Sequence, residues 1–302
     1  MARPYDTVSF LSDFGMADEF VGVVKSVIRT IAPHAAVIDL THEIAAHDVR
    51  AGSLTLARAV QYVAPGVVLA IVDPGVGTER RAVAVEVQEG EGVFVGPDNG
   101  LMASAVAMAG GATRAVELTN ADYQLPAPGA TFAGRDVFGP AAAHLCNGVD
   151  LADFGPAVDP AGLRPGILPL SRVEDGRVVA EVLWVDRFGN VQLNVDPDDV
   201  EGYGTRILLR LQGGGARRTK RAAAYGELTP GEIGLVVDSY GLLSIAVDRH
   251  SAADELGLGS GDEVVLESLA DDQAQAEAGT RNGPGPATRV NLARKPSEGG
   301  RP

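Results

Sequence analysis

The chain is organised around the stretch VVLAIVDPGVGTERR, residues 67–81. It begins with the apolar run 67–72, which has the length and composition of a buried β-strand. Pro74, Gly75 and Gly77 then require a sharp turn at the carboxyl end of that strand. Because open α/β sheets bind ligands at the carboxyl ends of their strands, this turn is a candidate functional site.

Three charged side chains flank the turn, namely Asp73, Arg80 and Arg81. A carboxylate and a guanidinium group beside one bend can orient and polarise a small nucleophile such as water. The alternative is a solvated ion pair on a surface turn, which contributes little to stability. The stretch by itself leaves both interpretations open.

Strands and helices alternate on both sides of this stretch, because apolar residues switch between strand and helical spacing. Strands are predicted at 7–11, 37–40, 67–72, 83–87, 93–95 and 114–118, and helices at 20–31, 48–63, 101–109 and 135–145. This alternation predicts an α/β fold, with an N-terminal three-layer α/β/α domain and a mostly parallel sheet over residues 1–155.

The second half of the chain has a different pattern. Residues 156–170 are rich in Pro, Gly and Asp and are predicted to be a linker. Short strands at 178–185, 191–195, 207–211, 233–237 and 242–247 predict a smaller β-barrel or sandwich domain over 171–269. The segment GGGARRTKR, 213–221, is predicted to be an exposed flexible hairpin. The tail, 270–302, has almost no large apolar residues and is predicted to be disordered.

Composition excludes several classes of partner. The formal net charge of −15 argues against nucleic acid and against an anionic membrane surface, since both would repel the chain. The single cysteine, Cys146, excludes an intramolecular disulfide and suggests a reducing compartment. The sequence has neither a run of about 18 apolar residues nor a secretory hydrophobic region at its start. We therefore expect a cytoplasmic protein.

The sequence does not match the common motifs for zinc binding or dinucleotide binding. His42 and His47 form no HExxH pattern, so no metal site is expected. Arg80 stands where a GxGxxG dinucleotide motif would need a further glycine. Asp13, at the end of the first strand, could bind a ribose diol or cap the following helix, and both roles remain open.

Six segments, taken in order, resemble the S-adenosyl-L-methionine hydroxide adenosyltransferases and the related fluorinase and chlorinase enzymes. The similarity extends from residue 8 to about residue 267. The segments are SDFG at 12–15, DPGVGTER at 73–80, GPDNGL at 96–101, TFAGRD at 131–136, DRFGN at 186–190 and DSYGL at 238–242.

The resemblance implies hydrolysis of S-adenosyl-L-methionine to adenosine and L-methionine, by attack of water or hydroxide at the ribose C5′. S-adenosyl-L-methionine is then the substrate and no cofactor is implied. The resemblance also implies a homotrimer, with the substrate between the N-terminal domain of one subunit and the C-terminal domain of its neighbour. It assigns Asp73 and Arg80 to the water, Asp13 to the ribose hydroxyls, Asp186 to the ammonium group, Phe188 and Asn190 to the adenine, Ser239 and Tyr240 to the carboxylate, and the backbone of Val247 to the adenine.

One position departs from the family. The hydrolytic branch carries a histidine in the stretch TFHGRD, and this chain has Ala133 there. His144, on the following predicted helix, is not expected to replace it. Three explanations compete, namely an engineered inactivating replacement, a natural variant that relies on Asp73 and Arg80, and a relative with a changed nucleophile. We favour the first, and with it impaired turnover, because the rest of the hydrolase pattern is intact.

Two alternative functions remain. The halogenase branches carry an uncharged residue where Asp73 stands, because a carboxylate would repel a halide, although the small Ala133 opens space for chloride. A non-catalytic sensor of S-adenosyl-L-methionine or adenosine would keep Asp13, Asp186 and Asn190 but would not need the pair Asp73 and Arg80.

Overall fold

A computed structural model describes residues 5–269 of the chain. They form two compact units, divided after Leu170, and each unit has its own hydrophobic core. The predicted disordered tail, 270–302, lies outside the described residues.

The first unit contains a six-stranded sheet in the order β2-β1-β3-β5-β4-β6. Strand β1 is parallel to β2 and β3, and β3 is parallel to β5. Only β4 runs against its neighbours, β5 and β6. The mostly parallel sheet is therefore confirmed. Its strands are β1 (Thr7–Ser12), β2 (Ala36–Thr41), β3 (Gly66–Ile71), β4 (Ala82–Val87), β5 (Gly92–Pro97) and β6 (Ala112–Glu117).

Helices cover both faces of this sheet. They are α1 (Phe20–Ile31), α2 (Val49–Ala59), α3 (Ala103–Met108) and α4 (Gly139–Cys146). Every residue of β3 is buried, with Leu69 packed in the core that contains Ile28 of α1, and Ala70 in the core that contains Leu56 of α2. The three-layer arrangement is thus confirmed. No helix within residues 5–269 is long and apolar enough to cross a membrane.

The strand order brings two predicted site segments together. Strands β1 and β3 are neighbours, so the turns that follow them lie at the same edge of the sheet. The Asp13 backbone N–H donates to the carbonyl oxygen of Ile71 at 3.3 Å. The crossover topology therefore places Asp13 beside Asp73, although sixty positions separate the two residues in the chain.

Residues 156–170, predicted to be a linker, belong to the first unit. The Arg164 backbone N–H donates to Asp98 Oδ1 at 2.7 Å, and Arg81 Nη2 donates to the carbonyl oxygen of Gly162 at 2.7 Å. Val158 and Leu163 pack against the core on the α2 side of the sheet. These contacts hold the segment on the first unit.

The second unit is a closed β-barrel. Seven strands form the ring, because β14 pairs with both β10 and β8, while β7 extends one edge of β8. Closure leaves the ring without unpaired edges. The elements are β7 (Arg172–Glu174), β8 (Arg177–Val185), β9 (Val191–Leu193), β10 (Arg206–Leu211), β11 (Ala216–Ala222), β12 (Ile233–Val237), β13 (Leu243–Val247), α5 (Ala252–Leu256) and β14 (Glu263–Ser268).

The exposed hairpin predicted over 213–221 is present, because β10 and β11 pair antiparallel around the turn at 212–215, but its second arm is a strand of the barrel and not a free loop. Residues Ala216–Ala222 form β11, which pairs antiparallel with β10 and parallel with β12. The strand has almost no apolar alternation, and Thr219 is its one buried residue. Hydrogen bonds to the neighbouring strands β10 and β12 hold its backbone, and the local sequence does not reveal those partners.

Two hairpin turns of the barrel, residues 186–190 and 238–242, share one geometry and are called the matched turns. In 186–190 and 238–242, Oδ1 of the first aspartate accepts the backbone N–H groups of the third and fifth residues, at 2.8 to 3.2 Å. The fourth residue, Gly189 or Gly241, has φ of +83° in both turns. Each turn is thus held by one carboxylate and one left-handed glycine.

These two glycines provide a matched stability test. A Cβ atom at Gly189 would lie 2.3 Å from Ser251 Oγ, whereas a Cβ atom at Gly241 would meet nothing within 4 Å. We expect Gly241→Ala to lower the free energy of unfolding by about 1 kcal/mol through φ strain alone. Gly189→Ala adds a steric clash and is expected to cost about 3 kcal/mol. Urea titrations followed by fluorescence of Trp184, the single tryptophan, measure both losses; equal losses would contradict this account.

Candidate functional site

A cavity of about 230 Å³ lies at the carboxyl ends of β1 and β3. Asp13, Asp73 and Ala133 line it, so the structure brings together three residues that the sequence analysis assigned to one site. Phe14, Phe20 and Phe132 also belong to its wall, and their ring centroids lie 5.0 to 5.8 Å apart. The cavity therefore combines two carboxylates with an aromatic wall.

Asp73 and Arg80 form a bidentate ion pair. Arg80 Nε donates to Asp73 Oδ1 at 2.9 Å, and Arg80 Nη2 donates to Oδ2 at 2.5 Å. The side chains of Asp73 and Arg80 are only 7% and 12% exposed. The Arg80 guanidinium also lies 5.3 Å from the ring centroid of Phe138. The alternative of a solvated surface pair is therefore wrong.

The pKa of Asp73 is raised above the ordinary aspartate value. Burial is the main cause, since it penalises the charged carboxylate, and the nearby charge of Asp13 acts in the same direction. Arg80 and the backbone N–H of Gly75 oppose the rise without cancelling it. Asp73 is thus a stronger base than a solvated aspartate, while Arg80 holds it in one orientation.

Arg81 has a different partner. Its Nε and Nη2 atoms both donate to Asp98 Oδ2, at 3.0 and 2.5 Å. Arg81 is 35% exposed at its side chain, and neither Arg80 nor Arg81 lines the cavity. Neighbouring arginines therefore pair with different carboxylates, and only Arg80 contacts Asp73.

Asp13 does not cap the following helix. The residue before α1 is Glu19, which makes no side-chain capping hydrogen bond. Asp13 Oδ2 instead accepts the backbone N–H of His47 at 2.9 Å. His47 adopts φ of +68°, an uncommon conformation for a residue with a side chain. The carboxylate of Asp13 is thereby held at the cavity wall.

Ala133 occupies the position where the resemblance implies a histidine. Ala133 is partly buried against the first core, and it immediately precedes the π-helical turn Gly134–Phe138. His144 does not line the cavity, and its ring packs on Tyr123 at 5.0 Å. Among the cavity-lining residues, His47 carries the one imidazole, and it contributes a backbone N–H to Asp13.

In the second unit, Asp186 and Asn190 belong to one of the two matched turns. Asn190 Nδ2 donates to Asp186 Oδ2 at 2.8 Å, which fixes the direction of the Asn190 amide. Phe188, between them, is 75% exposed. An oriented amide beside an exposed ring is suited to recognising the edge and face of a flat heterocycle.

Ser239 and Tyr240 lie in the other matched turn. Both are exposed, and the Tyr240 ring packs edge-on against Trp184 at 6.4 Å. The pKa of the Tyr225 hydroxyl group is raised, mainly by burial. The charges of Asp186 and Asp238, one from each turn, raise it further, so Tyr225 is close to both turns.

Val247 ends β13 and is buried. Its carbonyl oxygen accepts the backbone N–H of His250 at 3.3 Å. The chain that follows packs on the first matched turn, since the Ala253 N–H donates to the carbonyl oxygen of Gly189 at 3.0 Å. The structure thus connects the Val247 end of β13 to the turn that holds Asn190.

Sequence reasoning missed several supporting residues. Asn99 Nδ2 donates to the carbonyl oxygen of Val72 at 2.9 Å and so holds the start of the Asp73 turn. Phe138 packs against Arg80, and His47 supplies a backbone donor to Asp13. Asn99 lies in the GPDNGL segment and could have been assigned from it. Phe138 acts through packing and His47 through its backbone N–H, and neither kind of contact has a sequence motif.

The two neighbouring arginines allow a test of the pair. Arg80→Gln leaves the buried Asp73 carboxylate without its charge partner, so we expect a loss of about 3 kcal/mol in unfolding free energy. Arg81→Gln is expected to cost less, because Arg81 is more exposed and Asp98 keeps the backbone N–H of Arg164. Guanidinium denaturation followed by far-UV circular dichroism measures both losses; a smaller loss for Arg80→Gln than for Arg81→Gln would contradict the assignment.

Comparison with known proteins identifies the family. The chain matches the SAM hydroxide adenosyltransferase N-terminal domain over residues 8–155 and the C-terminal domain of the same family over residues 180–265. An (R)-S-adenosyl-L-methionine hydrolase from Salinispora tropica is 45% identical over 259 residues, which cover 86% of this chain and 97% of that protein.

More distant relatives agree with this placement. A fluorinase from Actinoplanes sp. is 26% identical over 234 residues, covering 68% of this chain and 78% of that protein. The solved structure of an uncharacterized conserved protein from Thermotoga maritima has a TM-score of 0.79 at 35% identity, covering 86% of this chain and 99% of that chain. The chain therefore belongs to the SAM hydroxide adenosyltransferase family.

Proposed function

We propose that this chain hydrolyses S-adenosyl-L-methionine to adenosine and L-methionine. The observation that carries the proposal is the buried Asp73–Arg80 pair, whose aspartate lines a cavity shared with Asp13 and Ala133. The relative from Salinispora tropica is named as a hydrolase of this substrate, which supports the same reaction.

The chemistry requires an activated nucleophile more than an acid. The positively charged sulfur of the substrate leaves as a neutral thioether, so no residue needs to protonate it. Water is a poor nucleophile and has to be aligned with C5′, opposite the sulfur, in a site that excludes bulk solvent. The aromatic wall of Phe14, Phe20 and Phe132 is suited to excluding solvent on one side.

In this proposal Asp73 is the general base. Its raised pKa makes it a better proton acceptor than a solvated aspartate, and it accepts one proton of the attacking water as the C5′–O bond forms and the C5′–S bond breaks. Arg80 holds the carboxylate in place and stabilises hydroxide-like charge on the water. S-adenosyl-L-methionine is the substrate, and we propose no cofactor.

The remaining substrate contacts follow the family resemblance. We propose that Asp13 binds the ribose hydroxyls, that Asp186 binds the ammonium group, and that Ser239 and Tyr240 bind the carboxylate. The adenine would contact Phe188, Asn190 and the backbone of Val247. We also propose the homotrimer that the resemblance implies, in which these two sets of residues come from neighbouring subunits.

The alanine at position 133 should slow the reaction. A histidine there would place a further polar group on the cavity wall beside the water, and the methyl group of Ala133 offers no hydrogen bond. We therefore propose that the chain retains substrate binding and turns over slowly. This proposal concerns the rate, and it is independent of how the alanine arose.

Restoring the histidine tests this proposal. We expect Ala133→His to release adenosine from S-adenosyl-L-methionine at least about tenfold faster, which corresponds to about 1.4 kcal/mol of barrier. Chromatography of adenosine and methionine over time measures the rate. Ala130→His is the matched control, because Ala130 is a nearby exposed alanine that does not line the cavity.

The same assay at low and high chloride separates the alternatives. A 5′-chloro-5′-deoxyadenosine product would favour the halogenase, for which the space beside Ala133 is the supporting observation. Substrate binding without any product, in both the unsubstituted chain and Ala133→His, would contradict the hydrolase proposal and favour the sensor.

The proposed base also predicts a pH dependence. Asp73 has to be ionised to accept a proton, so kcat/KM falls as pH falls through its folded pKa. Because that pKa is raised, the loss begins at a higher pH than for a solvated aspartate. Initial rates in buffers from acidic to neutral pH measure this fall in kcat/KM, and Asp73→Asn should remove nearly all of the activity. If Asp73→Asn remains active and its kcat/KM shows the same fall at low pH, another residue is the base.

A further inference from the structure

A buried polar chain lies behind Asp13 and is not used by the proposed mechanism. His42 Nδ1 lies 2.7 Å from Ser12 Oγ, and His42 Nε2 lies 3.2 Å from Asp39 Oδ1. Ser12 is fully buried and His42 is 3% exposed, whereas the Asp39 side chain is 36% exposed. The chain therefore leads from the surface at Asp39 to the end of β1, next to Asp13.

The contacts along this chain join its members one to the next. Ser12 Oγ accepts the backbone N–H of Phe14 at 3.3 Å and lies within hydrogen-bond distance of His42 Nδ1. His42 Nε2 faces the Asp39 carboxylate and makes an electrostatic contact with it, without a hydrogen bond.

The segment that carries His42 holds the Asp13 turn at two further points. The carbonyl oxygen of His42 accepts the backbone N–H of Gly15 at 2.7 Å, and the N–H of His47 donates to Asp13 Oδ2. Ser12 contacts the buried His42 imidazole directly, Phe14 is linked to it through Ser12 Oγ, and Gly15 binds the His42 backbone. A change of the His42 side chain would therefore act on the Asp13 turn through Ser12.

Packing alone does not explain a histidine at this place. The His42 ring contacts Phe10 edge-on at 4.6 Å, inside the first unit, where an apolar side chain would avoid the cost of burying polar atoms. A directional polar group beside the Asp13 turn instead specifies one turn conformation, at a cost in desolvation. A single turn conformation is useful where a carboxylate has to bind a ligand at a fixed distance.

We propose that His42, acting through Ser12, is a positioning residue that fixes Asp13 for binding the hydroxyl groups of the ribose. The inference rests on the proposed function only in taking Asp13 as the ribose ligand. His42 itself touches no substrate. Its removal should therefore weaken binding of nucleosides that carry both hydroxyls and spare nucleosides that lack them.

A double-mutant cycle tests the inference. Titration calorimetry gives the Kd of adenosine and of 2′,3′-dideoxyadenosine for the unsubstituted chain, Asp13→Asn, His42→Asn and the double variant. We expect His42→Asn to weaken adenosine binding about fivefold and to leave the dideoxynucleoside unchanged. In the Asp13→Asn background, His42→Asn should have no further effect, because the group that it positions is already lost.

Three further variants, one test and two controls, keep the experiment decisive if His42→Asn does not fold. Asp39→Asn removes the charge at the outer end of the chain and should act on adenosine in the same direction, more weakly. Lys25→Gln is its control, because Lys25 pairs with Asp39 at 2.8 Å and does not contact His42. His34→Asn controls for loss of a histidine elsewhere in the first unit, since His34 lies within hydrogen-bond distance of the Cys146 carbonyl, away from the Asp13 turn.

The outcomes separate the two proposals. Equal losses for the two nucleosides, or additive losses in the double variant, would overturn the positioning role and leave the proposed function intact. Failure of the unsubstituted chain to bind adenosine or S-adenosyl-L-methionine would overturn both. Selective, non-additive loss of adenosine binding is the result that we expect.

Discussion

The ion pair between Asp73 and Arg80 is the constraint on which the candidate site depends. An aspartate that is almost removed from water is stable as a carboxylate only beside a matching cation. The bidentate geometry supplies that cation, and Phe138 packs on the guanidinium. Burial still raises the pKa of Asp73, so the pair combines a fixed orientation with greater basicity. The water activation that we propose would use both properties of this carboxylate.

The sheet makes this arrangement possible. Strand β3 is buried on both faces, and its end delivers Asp73 to the edge where β1 delivers Asp13. A parallel neighbour reached by crossover is what brings such distant residues together. The Asp13 turn is then held from the segment after β2, by the His47 backbone and the His42 chain. Neighbouring strands therefore supply both the carboxylates of the candidate site and their supports.

The barrel presents its residues by another device. Two turns use one aspartate each to bind their own backbone, and a left-handed glycine completes each turn. In the first turn the same aspartate also orients Asn190. A carboxylate of this kind has a structural role before it meets any ligand. Any contribution of Asp186 to ammonium binding would use the acceptor capacity that remains after these bonds.

Local periodicity and short motifs were enough to predict the α/β layers of the first unit and the β character of the second, and to single out Asp13, Asp73, Arg80 and the Ala133 position as candidate site residues. They did not reveal which arginine pairs with Asp73, whether Asp13 caps a helix, or that the polar residues of β11 form a barrel strand. Those outcomes depend on partners distant in the chain. They came from the folded structure alone, since burial and strand pairing are set by the neighbours that folding brings together.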